Sequence, residues 1–243
     1  KSGIEAKAGH IVLAKVDVAA FQDGTGPLGV KQMKEIGIEK ISANKSILFI
    51  DHAAPSPRRE LSNDHKTLRE FCKKTGATLS EVGEGVIHQR LVESYVKPGD
   101  VVIGADSHSV TSGALGAFAT GMGSTDVAVG MALGKTWFKV PETFRIEVKG
   151  KFNKGVYSKD LILYLIGKIG ADGATYKALE FGGKAIKEMS MDSRLVLSNM
   201  AVEAGAKVGL IASDDVTKKY LKEQGRPNDF RALAPDIDAK YEK

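Results

Sequence analysis

The sequence predicts an α/β protein, a layered α/β/α arrangement around a mainly parallel sheet. Short apolar runs that end in small or turn residues alternate with segments of helical period, as expected where strands and helices take turns along the chain. A chain of 243 residues with 42% hydrophobic and 27% charged residues is an ordinary globular composition, long enough for one large domain or two small ones.

The run 46–50 (SILFI) is the first clear strand, followed at once by Asp51, His52 and the loop AAPSPRR. Asn63 or Asp64 is placed to cap a helix that ends at Gly76, with Leu68, Phe71 and Cys72 spaced to share one buried face. Gly83 and Gly85 mark a turn, and the next helix carries His88, Leu91, Val92 and Tyr95 up to a KPGD turn. A second strand, Val101–Gly104, ends in Ala105-Asp106-Ser107-His108. Residues 113–140 read as Gly- and Ala-rich helices that pack closely on their neighbours, anchored at their end by Trp137 and Phe138. In PETFRIEVKG the period is two, a strand with Phe144, Ile146 and Val148 on one face and Pro141 at its edge. Ser158 is the predicted cap of the apolar helix LILYLIGKIG. A helix over 194–204, a strand over 207–211 (KVGLI), a charged helix ending near Gly225 and a polar terminal linker complete the order. The short polar segment KGKFNKG near Gly150 divides the chain: an α/β domain over 1–150 carries the Asp-His motifs, and a smaller α/β domain over 151–243 carries Asn199 and Glu203 and ends in the linker.

Charge and composition exclude several function classes. The net charge of +5 comes from lysines dispersed along the chain, and only 7% of residues are aromatic, so no stripe for nucleic acid is expected. The least polar stretch, 113–134, is broken by glycines, Ser124, Thr125 and Asp126, and KSGIEAKAGH lacks an apolar core; neither a membrane span nor a signal peptide is expected. One cysteine, Cys72, allows no internal disulfide and no multi-thiolate metal site, and its helix pattern assigns it to the core. The expected location is the cytoplasm. Neither GxxxxGK[ST] nor a GxGxxG after a strand occurs, so a nucleotide site is unsupported.

Two of the five histidines directly follow strand ends, in Asp51-His52 and Asp106-Ser107-His108. The carboxyl ends of strands form the ligand crevice of open α/β sheets. A carboxylate bonded to one ring nitrogen fixes the imidazole tautomer and raises its pKa, which makes a proton donor useful near neutrality. The plain alternative is that each aspartate caps a turn. His88 stands at a helix start behind two glycines, whereas His10 and His65 lie among lysines and polar residues and read as solvated. No HxH or HxxxH spacing supports zinc. Asn199 and Glu203 share one helix face. Ser107 has no nucleophile elbow around it, and adjacent side chains such as Ser107 and His108 point apart.

The motifs DGTGPLG (23–29), IDHAAPS (50–56), GEGVIHQ (83–89), GADSHS (104–109), GALGAFATGMGSTD (113–126), GATYKALEFGG (173–183) and SNMAVEAGA (198–206) occur in that order. Together they resemble the aconitase superfamily, and within it the large-subunit group of isopropylmalate dehydratases and homoaconitases, over nearly the whole chain. Gln22, His10 and Ser109 depart from residues common in that group. The resemblance implies a hydro-lyase that interconverts 2- and 3-isopropylmalate through isopropylmaleate in leucine biosynthesis, or, alternatively, a homoaconitase-like reaction on a related hydroxy di- or tricarboxylate. It implies the pairs Asp51–His52, Asp106–His88 and Glu203–His108 as catalytic groups, with His52 protonating the leaving hydroxyl. Ser107 would contact substrate and Asn199 would lie beside the cofactor. That cofactor is a [4Fe–4S] cluster held by three cysteines of a region these 243 residues lack, so no metal ligand and no cluster are expected on this chain alone. The implied partner is a small subunit carrying the swivelling domain, in a heterodimer or heterotetramer. A different class of reading follows from the missing cysteines: a non-catalytic carboxylate-binding or assembly fragment.

Overall fold

The computed structural model describes residues 2–3 and 6–243. Five parallel strands, β2 (Val18–Gln22), β3 (Lys45–Phe49), β4 (Thr78–Ser80), β5 (Val101–Gly104) and β6 (Phe118–Gly121), form one sheet in the order β4-β3-β2-β5-β6. The chain winds outward from β2 through β3 to β4 and then crosses to β5 and β6. The reversal therefore falls between β2 and β5, the position at which such sheets open a crevice beyond their strand ends.

Strand alternation sorts the core into two layers. Ala19 and Phe21 of β2, Leu48 of β3 and Ile103 of β5 face one side, where they meet Val30 and Met33 of α1 (Gly26–Glu35), Leu68, Phe71 and Cys72 of α2 (Arg59–Thr75) and Val127 and Met131 of α4 (Ser124–Leu133). Val18, Ala20, Ile47, Phe49 and Val102 face the other. They pack on Ile87 of α3 (Ile87–Arg90), on Leu91 and Val92 of the π-helical turn that continues it, and on Ala114 and Leu115 of a 3-10 segment, Ser107–Leu115. Each fully buried large apolar side chain in these layers contributes about 1.5–3 kcal/mol.

A second parallel sheet has the order β10-β9-β8, from β8 (Thr143–Glu147), β9 (Ala178–Gly182) and β10 (Val208–Ile211). Its core gathers Phe144, Leu179, Phe181 and Ile211 with Ile162 of α5 (Ser158–Ile169), Ile186 of α6 (Lys184–Lys187) and Leu197 of α7 (Met191–Asn199). The helix α8 (Asp215–Glu223) follows β10, and an antiparallel ribbon of β1 (Ile11–Lys15) and β7 (Lys135–Lys139) stands apart from both sheets. The two sheets approach at two glycines. A Cβ on Gly113 would meet the Gly209 carbonyl oxygen at 2.0 Å, and one on Gly209 would meet Ala201 Cβ at 2.7 Å. Small residues here bring the segment after β5 against β10, and β10 against the end of α7.

Several sequence expectations are corrected. Residues 113–140 are not helices throughout: they hold the strands β6 and β7 around α4; the small residues of β6 and α4 leave little periodic face to read, whereas β7 (KTWFK) does carry the alternation of a strand. Helix α2 starts at Arg59, just after Pro57, so Asn63 and Asp64 lie inside it rather than at its cap. Ser158 is the first residue of α5, and the cap position is Tyr157, whose backbone N–H donates to the Asp160 carboxylate at 2.8 Å. The polar terminus turns back onto the protein: Leu233 pairs with Ser213, and the Glu242 N–H donates to the Thr143 carbonyl at 2.9 Å. No helix among the described residues is long and apolar enough to cross a membrane.

Candidate active site

Three neighbouring strands deliver the candidate residues to one end of the five-stranded sheet. Asp23 follows β2, Asp51 and His52 follow β3, and Asp106, Ser107 and His108 follow β5; His88 arrives from α3 and Glu203 from the 3-10 turn Met200–Ala204 after α7. Asp51 is almost wholly buried and divides its oxygens. Oδ1 lies 3.0 Å from His52 Nδ1, while Oδ2 accepts the backbone N–H of Ile87 at 2.7 Å and so fixes the start of the helix that carries His88.

Asp106 is the centre of the cluster. Its carboxylate lies 3.1 Å from His88 Nε2, 3.3 Å from His52 Nε2 and 3.8 Å from His108 Nδ1, and it accepts the backbone N–H of His108 at 2.8 Å. The same group therefore caps the 3-10 segment and gathers three imidazoles, so the turn-cap and the acid–histidine readings both hold in one side chain. His108 Nε2 reaches Glu203 Oε1 at 3.1 Å, and the His88 and His108 rings meet edge to face at 5.9 Å. The three pairs that the resemblance implies are thus within hydrogen-bond reach, and the first and second are joined through Asp106. His88 Nδ1 is buried with no hydrogen-bond partner among the described residues, which favours the tautomer that directs its proton from Nε2 to Asp106.

The electrostatics follow from this geometry. Burial disfavours ionised Asp106, but the His88 hydrogen bond and charge, the His108 N–H and the His52 charge outweigh it and hold the carboxyl down to about 2. Burial also disfavours protonated His52, yet the Asp51 hydrogen bond and the charges of Asp51, Asp106 and Asp23 lift its pKa above the ordinary value. The His52 side chain is still 40% exposed. An imidazole that favours its proton and faces solvent can deliver that proton to a bound molecule.

The remaining candidates surround this cluster. Ser107 Oγ lies 3.4 Å from His108 Nδ1, so the two adjacent side chains converge where the sequence suggested divergence. Asn199 donates to Thr111 Oγ1 at 2.8 Å, and Thr111 donates in turn to the His108 carbonyl at 2.7 Å, tying α7 to the histidine segment. Two cavities flank the cluster. One of about 550 Å³ is lined by Asp106, Ser107, Tyr176 and Lys207, and one of about 430 Å³ by His88, Thr111 and Asn199.

Sequence reasoning missed two residues. Asp23 is fully buried and His65 only 4% exposed, contrary to the expectation of a solvated His65; the histidine sits on the inner face of α2, three residues before Leu68. That spacing was the available signal, obscured by lysines and acids on the helix's outer face. His10 is exposed as expected.

Two triads of donor atoms, on His88, Asp106 and His108 and on Asp23, Asp51 and His52, lie within 4.8 Å of one another. Their carboxylates already accept backbone N–H groups and imidazoles, so a metal ion there would have to displace existing bonds. Nor do these residues fit a thiolate-held cluster. The single cysteine, Cys72, is buried on α2, its Sγ lies 3.8 Å from the Thr78 carbonyl, and burial pushes the thiol up to about 11.

Comparison with known proteins places this geometry. A family model described as Aconitase family (aconitate hydratase) matches residues 2–242. The chain is 63% identical over 243 residues to the 3-isopropylmalate dehydratase large subunit of Elusimicrobium minutum, covering 100% of this chain and 58% of that protein. It is 58% identical to 3-isopropylmalate dehydratase large subunit 2 of Archaeoglobus fulgidus, again over 100% of this chain and 58% of the relative. Against large subunit 1 of Thermotoga maritima it is 57% identical, covering 99% of this chain and 57% of that one. The chain therefore spans less than two thirds of the length of these curated relatives.

Proposed function

The chain belongs to the aconitase family, and from that premise we propose that it is the proton-handling part of a 3-isopropylmalate dehydratase large subunit. In this reading the whole protein removes water from 2- or 3-isopropylmalate and adds it back across isopropylmaleate, in leucine biosynthesis in the cytoplasm. The observation that carries the reading is His52, whose ring is held between Asp51 and Asp106, favours its proton and remains open to solvent. Hydroxide is a poor leaving group, and a proton supplied as the C–O bond breaks lets it depart as water while a base outside these residues takes the proton from the adjacent carbon and the C=C bond forms. On rehydration both protons return by the reverse path, the His52 ring taking one from the incoming water. Asp106 keeps His52 and His88 in fixed relation, Glu203 orients His108, Ser107 meets the substrate, and Asn199 fixes the edge of the site. For the two structural units expected at 1–150 and 151–243, we propose a boundary before β8 (Thr143–Glu147) instead of at residue 150, because β8 pairs with β9 in the second sheet.

Family members bind a [4Fe–4S] cluster, and its three thiolates would come from outside these 243 residues, which hold the single cysteine Cys72. The relatives' names include "large subunit", which supports a small-subunit partner completing the site. The test is substrate choice by the complete protein with that partner. Absorbance from isopropylmaleate on addition of either isopropylmalate supports the assignment, whereas turnover of homocitrate alone selects the homoaconitase-like reaction. A second reading, diacid binding without turnover, rests on the lone buried cysteine, and calorimetry on the 243-residue chain would support it only if isopropylmalate binds there unaided.

A further inference from the structure

We propose that Asp23 and His65, which lie outside the three acid–histidine pairs described above, are positioning residues that clamp the backbone at His52. The inference rests on the function proposed above. Asp23 Oδ1 accepts the His52 backbone N–H at 2.9 Å, and Oδ2 accepts both the Ala53 N–H at 2.9 Å and His65 Nε2 at 2.9 Å. Both N–H groups bracketing the catalytic histidine thus end on one carboxylate. Asp23 comes from the end of β2, the His52 loop from the end of β3 and His65 from α2, so a single buried group ties three elements together at the site.

The chemistry of each residue type matters. A fully buried carboxylate needs donors on both oxygens, and here two peptide N–H groups and an imidazole N–H supply them. The backbone donors, with the imidazole, hold Asp23 ionised against its burial. Asparagine at 23 would replace an acceptor oxygen by an N–H₂ that faces a peptide N–H, two donors opposed. Leucine at 65 would remove the third donor and leave Oδ2 served by Ala53 alone. Neither change alters the side-chain contacts of His52 with Asp51 and Asp106. Helix α2 would stay docked, because Leu68, Phe71 and Cys72 bury its inner face independently of His65.

The test uses the complete large subunit with its small-subunit partner and an intact cluster, comparing wild type with His65→Leu, His65→Gln and Asp23→Asn. A sub-ångström shift of a proton donor acts on the chemical step, so kcat is expected to fall on the order of tenfold or more in His65→Leu and Asp23→Asn while KM stays within about twofold. Glutamine at 65 places an amide N–H toward Asp23 and is expected to restore most of the loss. The charged and titratable groups around His52 are Asp51, Asp106 and Asp23, with His88 and His108 against Asp106 and His65 behind Asp23. Removing the Asp23 charge is expected to move the His52 limb of the kcat–pH profile to lower pH, which a loss of folded protein alone would not do. Unchanged kcat and pH profile in both disruptive variants, with wild type active, would overturn this inference and leave the proposed function standing. Equal collapse of kcat and melting temperature in every variant, glutamine included, would reduce the pair to a structural role. A wild-type protein inactive on isopropylmalate would remove the functional reading and this inference with it.

Discussion

Replacing Asp106 by Asn should lower the stability of the 243-residue chain at pH 7 by about 2 kcal/mol. A carboxyl whose ordinary value of 3.8 is held down to about 2 by its partners gains about 1.4 kcal/mol of folding free energy for each pH unit of that displacement. The side chain is only 11% exposed, so solvent screening reduces this little. The sign follows from the direction of the displacement. A depressed carboxyl contributes stability that is fully present above its unfolded value and is lost as pH falls through its folded value. The assay is urea unfolding of both proteins from pH 7 to pH 2. Asp23 and Asp214, also held below their ordinary values, give both proteins some acid sensitivity, so the difference between the curves is the observable. The gap should be about 2 kcal/mol at neutral pH and should close between the unfolded and folded values of Asp106. Parallel curves, or a variant as stable as wild type at pH 7, would refute the placement of Asp106 as the charged centre of three imidazoles.

Other outcomes follow from the same geometry. The His52 ring should titrate by NMR with a midpoint above 6.5, and Asp51→Asn should lower it; the stability linked to His52 is present below 6.5 and fades as pH rises through the folded value, the reverse of Asp106. Arg194 is fully buried, with Nη1 and Nη2 each 2.7 Å from Asp214. Because Asp214 is 35% exposed, Arg194→Met should cost about 2–3 kcal/mol in urea unfolding, below the usual loss for a wholly buried pair, and pairing it with Asp214→Asn should recover part of that. Gly113→Ala should lower stability by about 1–3 kcal/mol, since its methyl group would overlap the Gly209 carbonyl and push the His108 segment away from Glu203, readable as a fall in melting temperature.

Legibility in the sequence tracked how local the determinant was. Val101–Gly104 and the charged helix α8 were readable because each shows its own pattern, an apolar run closed by a turn or a two-sided helix. Strand β2 was not, since VAAFQ is buried at all five positions and carries no alternation. Asp51-His52 and Asp106-Ser107-His108 were legible as candidates because each run follows closely on an apolar strand, β3 or β5. Asp106 as a shared centre was invisible, because its partners come from the ends of β3, the start of α3 and its own segment. His65 was misplaced for the converse reason: its neighbours in sequence are charged, while its partner in space lies 42 residues away.

The proton delivery proposed for His52 is tested most directly by the turnover and cluster content of His52→Asn in the complete large subunit with the proposed small-subunit partner. Loss of a general acid costs on the order of a hundredfold or more in kcat, and that loss is expected with the cluster's absorbance and iron content unchanged. Activity within a few-fold of wild type, or an equal loss of cluster and turnover, would contradict the account.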